Sequence, residues 1–332
     1  MWVTSEPGQI RIRGYPIQSL AVEFTFLENI SFLVNGNQSD PVGSRAWKRF
    51  MENSFEILKQ RGGLLNRNDH LSVKEIPNFI DKVLNELNDS QILRKFSSTN
   101  KTAEAAFVWV SILSEFALHY DEHWWPKDPS QLIYSFARSL TSKKLQLRHR
   151  LVRAFEMHMS LQIESPNSPS SKEFRNALST GASLLEAIRV GVERFWRADH
   201  GLASSHLANL LLKWHQNNES IEEGLEKCFQ RGEKIPGFGS HEHKGRMEDP
   251  RVLVYRDKIC KNLRSSKWFW KSAQELEKAF YKKYTRALLP LNPDHYMTLL
   301  HFELDIPPIR IPVSFLVARI AGWCAAYIEM KM

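Results

Sequence analysis

The sequence predicts an all-α fold. Apolar residues recur at helical spacing in one segment after another, and no period-2 alternation persists beyond a few residues. The breaks between segments fall on stretches rich in Gly, Pro, Asn and Asp. No internal repeat is evident.

Taken in order, Ile10–Asn35 opens with a Gly-Tyr-Pro turn and continues with apolar residues at helical spacing. Trp47–Gln60 is amphipathic and ends at Gly62-Gly63. Val73–Leu87 and Thr102–Leu118 read as helices, the second strongly apolar, before His123–Pro129 (HWWPKDP) breaks the pattern with two exposed-looking tryptophans. Helices follow at Leu132–Leu140 and Gln146–Leu161, and Glu164–Ser171 (ESPNSPSS) is a loop by composition. Helical patterning resumes at Ala182–Trp196, stops at RADHG and restarts at Leu202–His215. Ile235–Arg251 (IPGFGSHEHKGRMEDPR) fits no period and reads as a loop. Basic amphipathic helices come next, at Val252–Leu263 and Ser266–Tyr284. Pro290–Pro293 interrupts them, a helix runs to Phe302, IPPIRIP is a Pro-rich turn, and Val313–Met330 is the last helix.

A chain of 332 residues can bury a large core in one big domain or two smaller ones. Its 42% hydrophobic and 25% charged residues are ordinary for a soluble globular protein. No run of eighteen apolar residues occurs, so no membrane partner is expected. The first residues, MWVTSEPGQIRIRGYP, lack the apolar core of a signal peptide. Cys228, Cys260 and Cys324 are too few and too scattered for a disulfide framework or a metal knuckle, which fits a reducing cytoplasm. The net charge of +8 is concentrated. Between Glu226 and Arg286 sixteen Lys/Arg face eight Asp/Glu, so that region carries the whole excess. It is either a solvated basic face or a site for phosphates. The aromatic interleaving and motifs of a nucleic-acid binder are missing, so no nucleic-acid partner is expected.

The loop at Ile235–Arg251 lies inside that basic region. Gly237 and Gly239 let the backbone approach a bound group, and Arg251 offers a planar fork for a carboxylate or phosphonate. Other polar groups sit at helix boundaries or in apolar surroundings: His158, His200, Asp294 and Arg319. Arg319 lies in an apolar helix and needs a partner, either a structural carboxylate or a ligand. His200-Gly201 also fits a helix C-cap, and Asp294 after Pro293 also fits a helix N-terminus. His241 and His243 stand two apart on the loop. Without a nearby Cys or an HExxH pattern they do not argue for a metal. No P-loop, GxGxxG, GxSxG or kinase motif occurs.

In order, these pieces resemble the citrate synthase family. FWRADHGLASSHLANLL resembles its GPxHGxAN block, IPGFG with DPR resembles its PGFGH…DPR loop, and LNPDHYMTLLHFELDIPPIRIPVSFLVARIAGW resembles its PNVDxYSG…ARxxGW block. The resemblance covers most of the chain from RIRGYPIQSLA onward. It implies an all-α homodimer with a large helical domain (1–200, continued by 293–332), a small coenzyme A-binding domain (201–292) and an active site in the cleft. It also implies acetyl-CoA as co-substrate, a 2-oxo acid as acceptor and no permanently bound cofactor. Asp294 would take the methyl proton, and His200 would hydrogen-bond the thioester oxygen. His158, Arg251 and Arg319 would hold the acid, and Pro236, Gly237, Phe238, Gly239 and Lys244 would cradle coenzyme A.

Two departures stand out. Ser240 occupies the position of the family's His after Gly-Phe-Gly, leaving His241 or His243 to serve the acceptor carbonyl. A further family Arg lies beyond the point where this sequence ends, at Met332. Both argue against plain oxaloacetate and toward another acid such as phosphonopyruvate. The other reading is a non-catalytic relative that binds coenzyme A or a carboxylate.

Overall fold

The last helix is the axis around which the others pack. It spans Ile311–Lys331 and is buried from Ile311 to Ile328, as a helix that is apolar on every side must be. The stretch from Pro308 to Lys331 is long and apolar enough to cross a membrane, yet its 18-residue window of mean hydropathy 1.6 is entirely buried inside the protein. Arg319 is the one charged residue between Ile311 and Ile328.

The computed structural model describes residues 2–6, 8–35, 45–65, 76–142, 147–239, 248–263, 268–286 and 288–331. The chain starts with a small antiparallel sheet, β1 (Val3–Glu6), β2 (Gln9–Ile12) and β3 (Tyr15–Pro16). Val3 pairs with Ile12 and Arg11 with Pro16. The stretch before the expected Gly-Tyr-Pro turn is therefore a strand, and helix begins after it at Ile17. Ile10 and Ile12 alternate into the core, a period of two too short to register in the sequence.

Helices α1 (Ile17–Glu23), α2 (Phe26–Asn35), α3 (Arg45–Arg61), α4 (Ile76–Asp89), α5 (Gln91–Thr99) and α6 (Lys101–Tyr120) follow. Asn100 caps α6 by accepting from the Ala103 N–H. Its flank meets the axial helix where the Trp109 indole donates to Val317 O at 3.1 Å. The two tryptophans of HWWPKDP are not exposed. Trp124 is buried, Trp125 is half-buried, and both meet the Phe55 ring edge-on.

Next come α7 (Leu132–Leu140), α8 (His149–Gln162), α9 (Pro169–Ser179), α10 (Leu184–Phe195), α11 (Ala203–Gln216) and α12 (Ile221–Gln230). The short α13 (Pro250–Val254) runs through a π-helical segment, Tyr255–Cys260, into α14 (Lys261–Leu263). Then come α15 (Trp268–Lys283), α16 (Pro293–Glu303) and the axial α17. Helix α9 begins inside the stretch that reads as a loop, with Ser168 before it and Pro169 at its first position.

Two hydrophobic clusters organise these helices. The larger gathers α1–α10, α16 and α17, and also takes in Val252, Tyr255 and Ile259. The smaller joins α11, α12 and α15 through Leu207, Trp214, Leu225, Leu276 and Phe280.

Candidate active site

Between the two clusters lies a cleft of about 860 Å³. Its walls include Pro236, Gly237, Phe238 and Gly239 together with His200, Arg251, Asp294 and Arg319.

The glycine loop is bolted to the start of α16. Gly237 and Gly239 have φ of 93° and 82°, which only glycine adopts without strain. The Gly239 N–H donates to Pro290 O at 2.7 Å, and the Asn292 N–H donates to Gly237 O at 3.0 Å. Phe238 stacks on Phe280 with ring centroids 3.7 Å apart. Asn292 has two tasks. Its Nδ2 donates to Gly239 O at 2.8 Å, and its Oδ1 accepts the Asp294 N–H at 3.0 Å, capping α16. The loop and Asp294 are thus fixed to each other by one side chain.

Asp294 opens α16 and faces the cleft. Burial pushes its carboxyl up to about 7, while Arg251 pulls it down and Asp249 pushes it up. Asp-Pro-Arg starts α13, with Asp249 as N-cap and Pro250 at the first turn. The Asp249 carboxylate accepts from the Arg251 N–H at 2.9 Å and from its Nε and Nη2 at 2.9 and 2.6 Å. Part of the guanidinium fork is therefore committed to Asp249.

Arg319 enters the site from the middle of α17. Its Nε donates to Gln162 O at 3.0 Å, and its Nη1 donates to the Ser168 and Ser171 hydroxyls at 2.8 and 3.4 Å. The Ser171 hydroxyl donates in turn to the buried Glu164 carboxylate at 2.7 Å. The stretch ESPNSPSS thus holds Arg319 through a carboxylate one hydroxyl away. His200 sits in the turn after α10, with Nε2 2.8 Å from the Ser170 hydroxyl and its ring against Phe195 and Phe315. Gly201 follows because a Cβ there would lie 2.2 Å from the Phe195 ring, rather than to supply a left-handed cap.

His158 must be corrected. It is fully buried behind the cleft wall, bonded through Nδ1 to the Tyr255 hydroxyl at 2.6 Å and through Nε2 to the Ser314 hydroxyl at 3.0 Å. It cannot touch a bound acid. The α8–α9 residues that do line the cleft are Gln162, Ser165, Ser168 and Pro169. Sequence reading missed Ser165, Ser168 and Pro169 because they lie in a stretch whose composition reads as loop, and Gln162 because it ends the helix before that stretch. A Ser followed by Pro-Ser-Ser is a helix-start signature that would have found Ser168 and Pro169. Ser240, His241, His243 and Lys244 lie outside the described residues.

Several known proteins share this arrangement of helices. A family model described as the citrate synthase C-terminal domain matches residues 2–332. Citrate synthase 1 of Mycobacterium tuberculosis is 26% identical over 353 residues, covering 99% of this chain and 79% of that protein. The glyoxysomal citrate synthase of Cucurbita maxima is 26% identical over 361 residues, covering 99% and 67%. Among solved structures, citrate synthase from Thermotoga maritima superposes with a TM-score of 0.76 at 23% identity, over 99% of this chain and 87% of that one. The Thermoplasma acidophilum citrate synthase, solved as a ternary complex with carboxymethyl coenzyme A and oxaloacetate, gives 0.76 at 17% identity, over 99% and 88%. With the family model running almost end to end, this chain belongs to the citrate synthase family.

Proposed function

We propose that this protein is a citrate synthase-type condensing enzyme. It takes a proton from the methyl group of acetyl-CoA, joins that carbon to the carbonyl carbon of a 2-oxo acid, and releases coenzyme A as the thioester is hydrolysed. The observation that carries this reading is Asp294, a carboxylate raised to about 7 in a cleft shared with His200, Arg251 and Arg319.

A thioester methyl is a weak acid, so its base must be strong enough to help yet still ionised near neutrality. A carboxylate raised toward 7 meets both needs. As the proton leaves, charge builds on the thioester oxygen. His200, oriented by the Ser170 hydroxyl, supplies a hydrogen bond to it. Arg319 and Arg251 hold the acid so that its carbonyl carbon faces the new carbanion, and positioning of this kind supplies several kcal/mol, about 7 to 11 in favourable cases. Pro236–Gly239 receives the adenine end of coenzyme A, with Lys234 close by for its phosphates. The complex of the Thermoplasma protein with a coenzyme A analogue and oxaloacetate supports this pairing of ligands. A homodimer belongs to the same reading on the family resemblance, and a reducing cytoplasm on the three scattered cysteines.

Thiol release from acetyl-CoA across a panel of 2-oxo acids, phosphonopyruvate included, tests the proposal. Release that depends on one of the acids is expected. Silence across the whole panel, from folded protein that binds coenzyme A, would sink it.

A further inference from the structure

Behind the acid end of the cleft runs a line of buried polar groups that touch no substrate in the proposed reaction. His301 Nδ1 lies 2.8 Å from Met297 O, and His301 Nε2 lies 2.7 Å from the Ser314 hydroxyl. That hydroxyl is 3.0 Å from His158 Nε2, and His158 Nδ1 is 2.6 Å from the Tyr255 hydroxyl. Tyr255 is 3.2 Å from Gln162 Nε2. His158, Tyr255, His301 and Ser314 are all fully buried, and Gln162 is the member that lines the cleft.

This line has one possible direction. A backbone carbonyl only accepts, so His301 must carry its proton on Nδ1. Burial holds both imidazoles neutral, lowering His301 to about 4 and His158 well below the usual imidazole range. His301 Nε2 is therefore bare and takes the Ser314 proton. Ser314 also lies 2.9 Å from Ile311 O. Giving its proton there would leave a bare nitrogen facing an oxygen lone pair at 2.7 Å, so the proton belongs on the His301 contact. The Ser314 oxygen then accepts from His158 Nε2–H, which leaves His158 Nδ1 bare for the Tyr255 proton. The Tyr255 oxygen in turn accepts from Gln162 Nε2–H. The carbonyl of Met297 thus fixes the orientation of an amide five groups away, through tautomers that cannot be chosen independently.

The amide nitrogen of Gln162 is turned inward and its oxygen is left over. Among the described residues that oxygen accepts no hydrogen bond. It sits on the residue whose backbone carbonyl anchors Arg319, at the acid end of the cleft. We infer that Gln162 is a specificity-determining residue. It presents an acceptor, and it selects a 2-oxo acid whose portion seated against it carries a hydrogen-bond donor over one that places a second carboxylate there. A carboxamide, a hydroxyl and a singly protonated phosphonate share that chemistry. A carboxylate in the same place would set two acceptors face to face away from water, which costs about tenfold or more in binding.

The inference rests on the condensing-enzyme reading, so the experiment must separate the two. Oxaloacetate and 2-oxosuccinamate share one skeleton and differ only in carboxylate against carboxamide. kcat/KM for each would come from thiol release with acetyl-CoA, and Kd for each from calorimetry on the full chain, with other 2-oxo acids alongside. The carboxamide is expected to be favoured by about tenfold or more. Gln162→Leu removes the acceptor and should move the ratio toward the carboxylate. Ser314→Ala lies outside the cleft but frees His158 to take its other tautomer and the amide to turn over, so it should move the ratio the same way. A wild-type ratio at or below one, or a preference that survives both substitutions, overturns the inference and leaves the condensing reading standing. If no 2-oxo acid is bound or consumed, the condensing reading falls and the inference with it.

Discussion

Gly322 of the axial helix lies directly against the turn that follows α8, where a Cβ would stand 1.9 Å from Ile163 O. That contact sets how deeply α17 seats, one turn beyond Arg319 and beside the carbonyl of Gln162 to which Arg319 donates. Gly322→Ala is therefore expected to push the turn away from the helix. Overpacking of this kind costs about 1–3 kcal/mol, so the melting temperature should fall by several degrees. KM for the 2-oxo acid should rise more than KM for acetyl-CoA, because Arg319 is the residue proposed to hold the acid. Calorimetry and steady-state kinetics on the variant check both, and an unchanged melting temperature would refute the seating argument.

Asp294 links activity to stability with opposite signs. Its folded carboxyl is raised to about 7 from an ordinary 3.8, with burial the first cause. As a base it must be ionised, so kcat/KM is expected to rise about tenfold per pH unit up to pH 7 and level off above it. As an acid whose charged form is desolvated, it favours the folded state while protonated. That contribution is fully present below 3.8 and is lost as pH rises through about 7. Asp294→Asn should lower kcat by roughly a hundredfold or more, leave coenzyme A affinity nearly unchanged, and stabilise the protein by about 1–4 kcal/mol at pH 8. The gain should vanish near pH 4. Urea unfolding at the two pH values and a pH–rate profile measure it.

What could be read in the sequence follows a physical divide. α6 and α17 were legible because each carries an apolar pattern longer than any turn can imitate. Arg251, Asp294 and Arg319 were legible because each sits in a motif with a helix-start or buried-charge logic of its own. The small sheet was not, since Ile10 and Ile12 make only one period of alternation. Helix α9 hid behind Ser168 and Pro169, residues that mark a loop or a helix start with equal force. His158 misled for a related reason. A buried histidine bonded to Tyr255 and Ser314 has the same sequence signature as one facing a ligand, and only packing tells them apart.

Ser170 holds His200 by a single 2.8 Å contact. If its hydroxyl donates to Nε2, the histidine proton stays on Nδ1, and the tautomer is set by the protein rather than by the substrate. Ser170→Ala should lower kcat by roughly tenfold through loss of that hydrogen bond, with KM for both substrates within about twofold. Ser170→Thr, which keeps the hydroxyl, should restore most of the rate. A kcat that survives the alanine variant would show that the ring is held by its packing against Phe195 and Phe315 instead.

Three buried histidines should make the fold acid-labile. His295 and His301 are lowered to about 4 and His158 well below its ordinary value, burial being the first cause for each. All three stay neutral in the folded state but gain protons in the unfolded chain below the ordinary 6.5. Their stabilisation is complete above that value and is lost as pH falls toward 4. Each unbalanced proton contributes about 1.4 kcal/mol per pH unit. Asp294 works the other way over the same range, since the folded state holds its proton and the unfolded state does not. Three protons against one leave a net slope of about 2.7 kcal/mol per pH unit at most, between pH 6 and 5. Urea midpoints measured from pH 7 to 4.5 should fall steeply, and His295→Phe, which leaves the Gln162–Met297 line intact, should flatten the fall by about one proton's share. A midpoint that stays level from pH 7 to 5 would mean that these imidazoles are already charged in the folded protein, which would also undo the tautomer order behind Gln162.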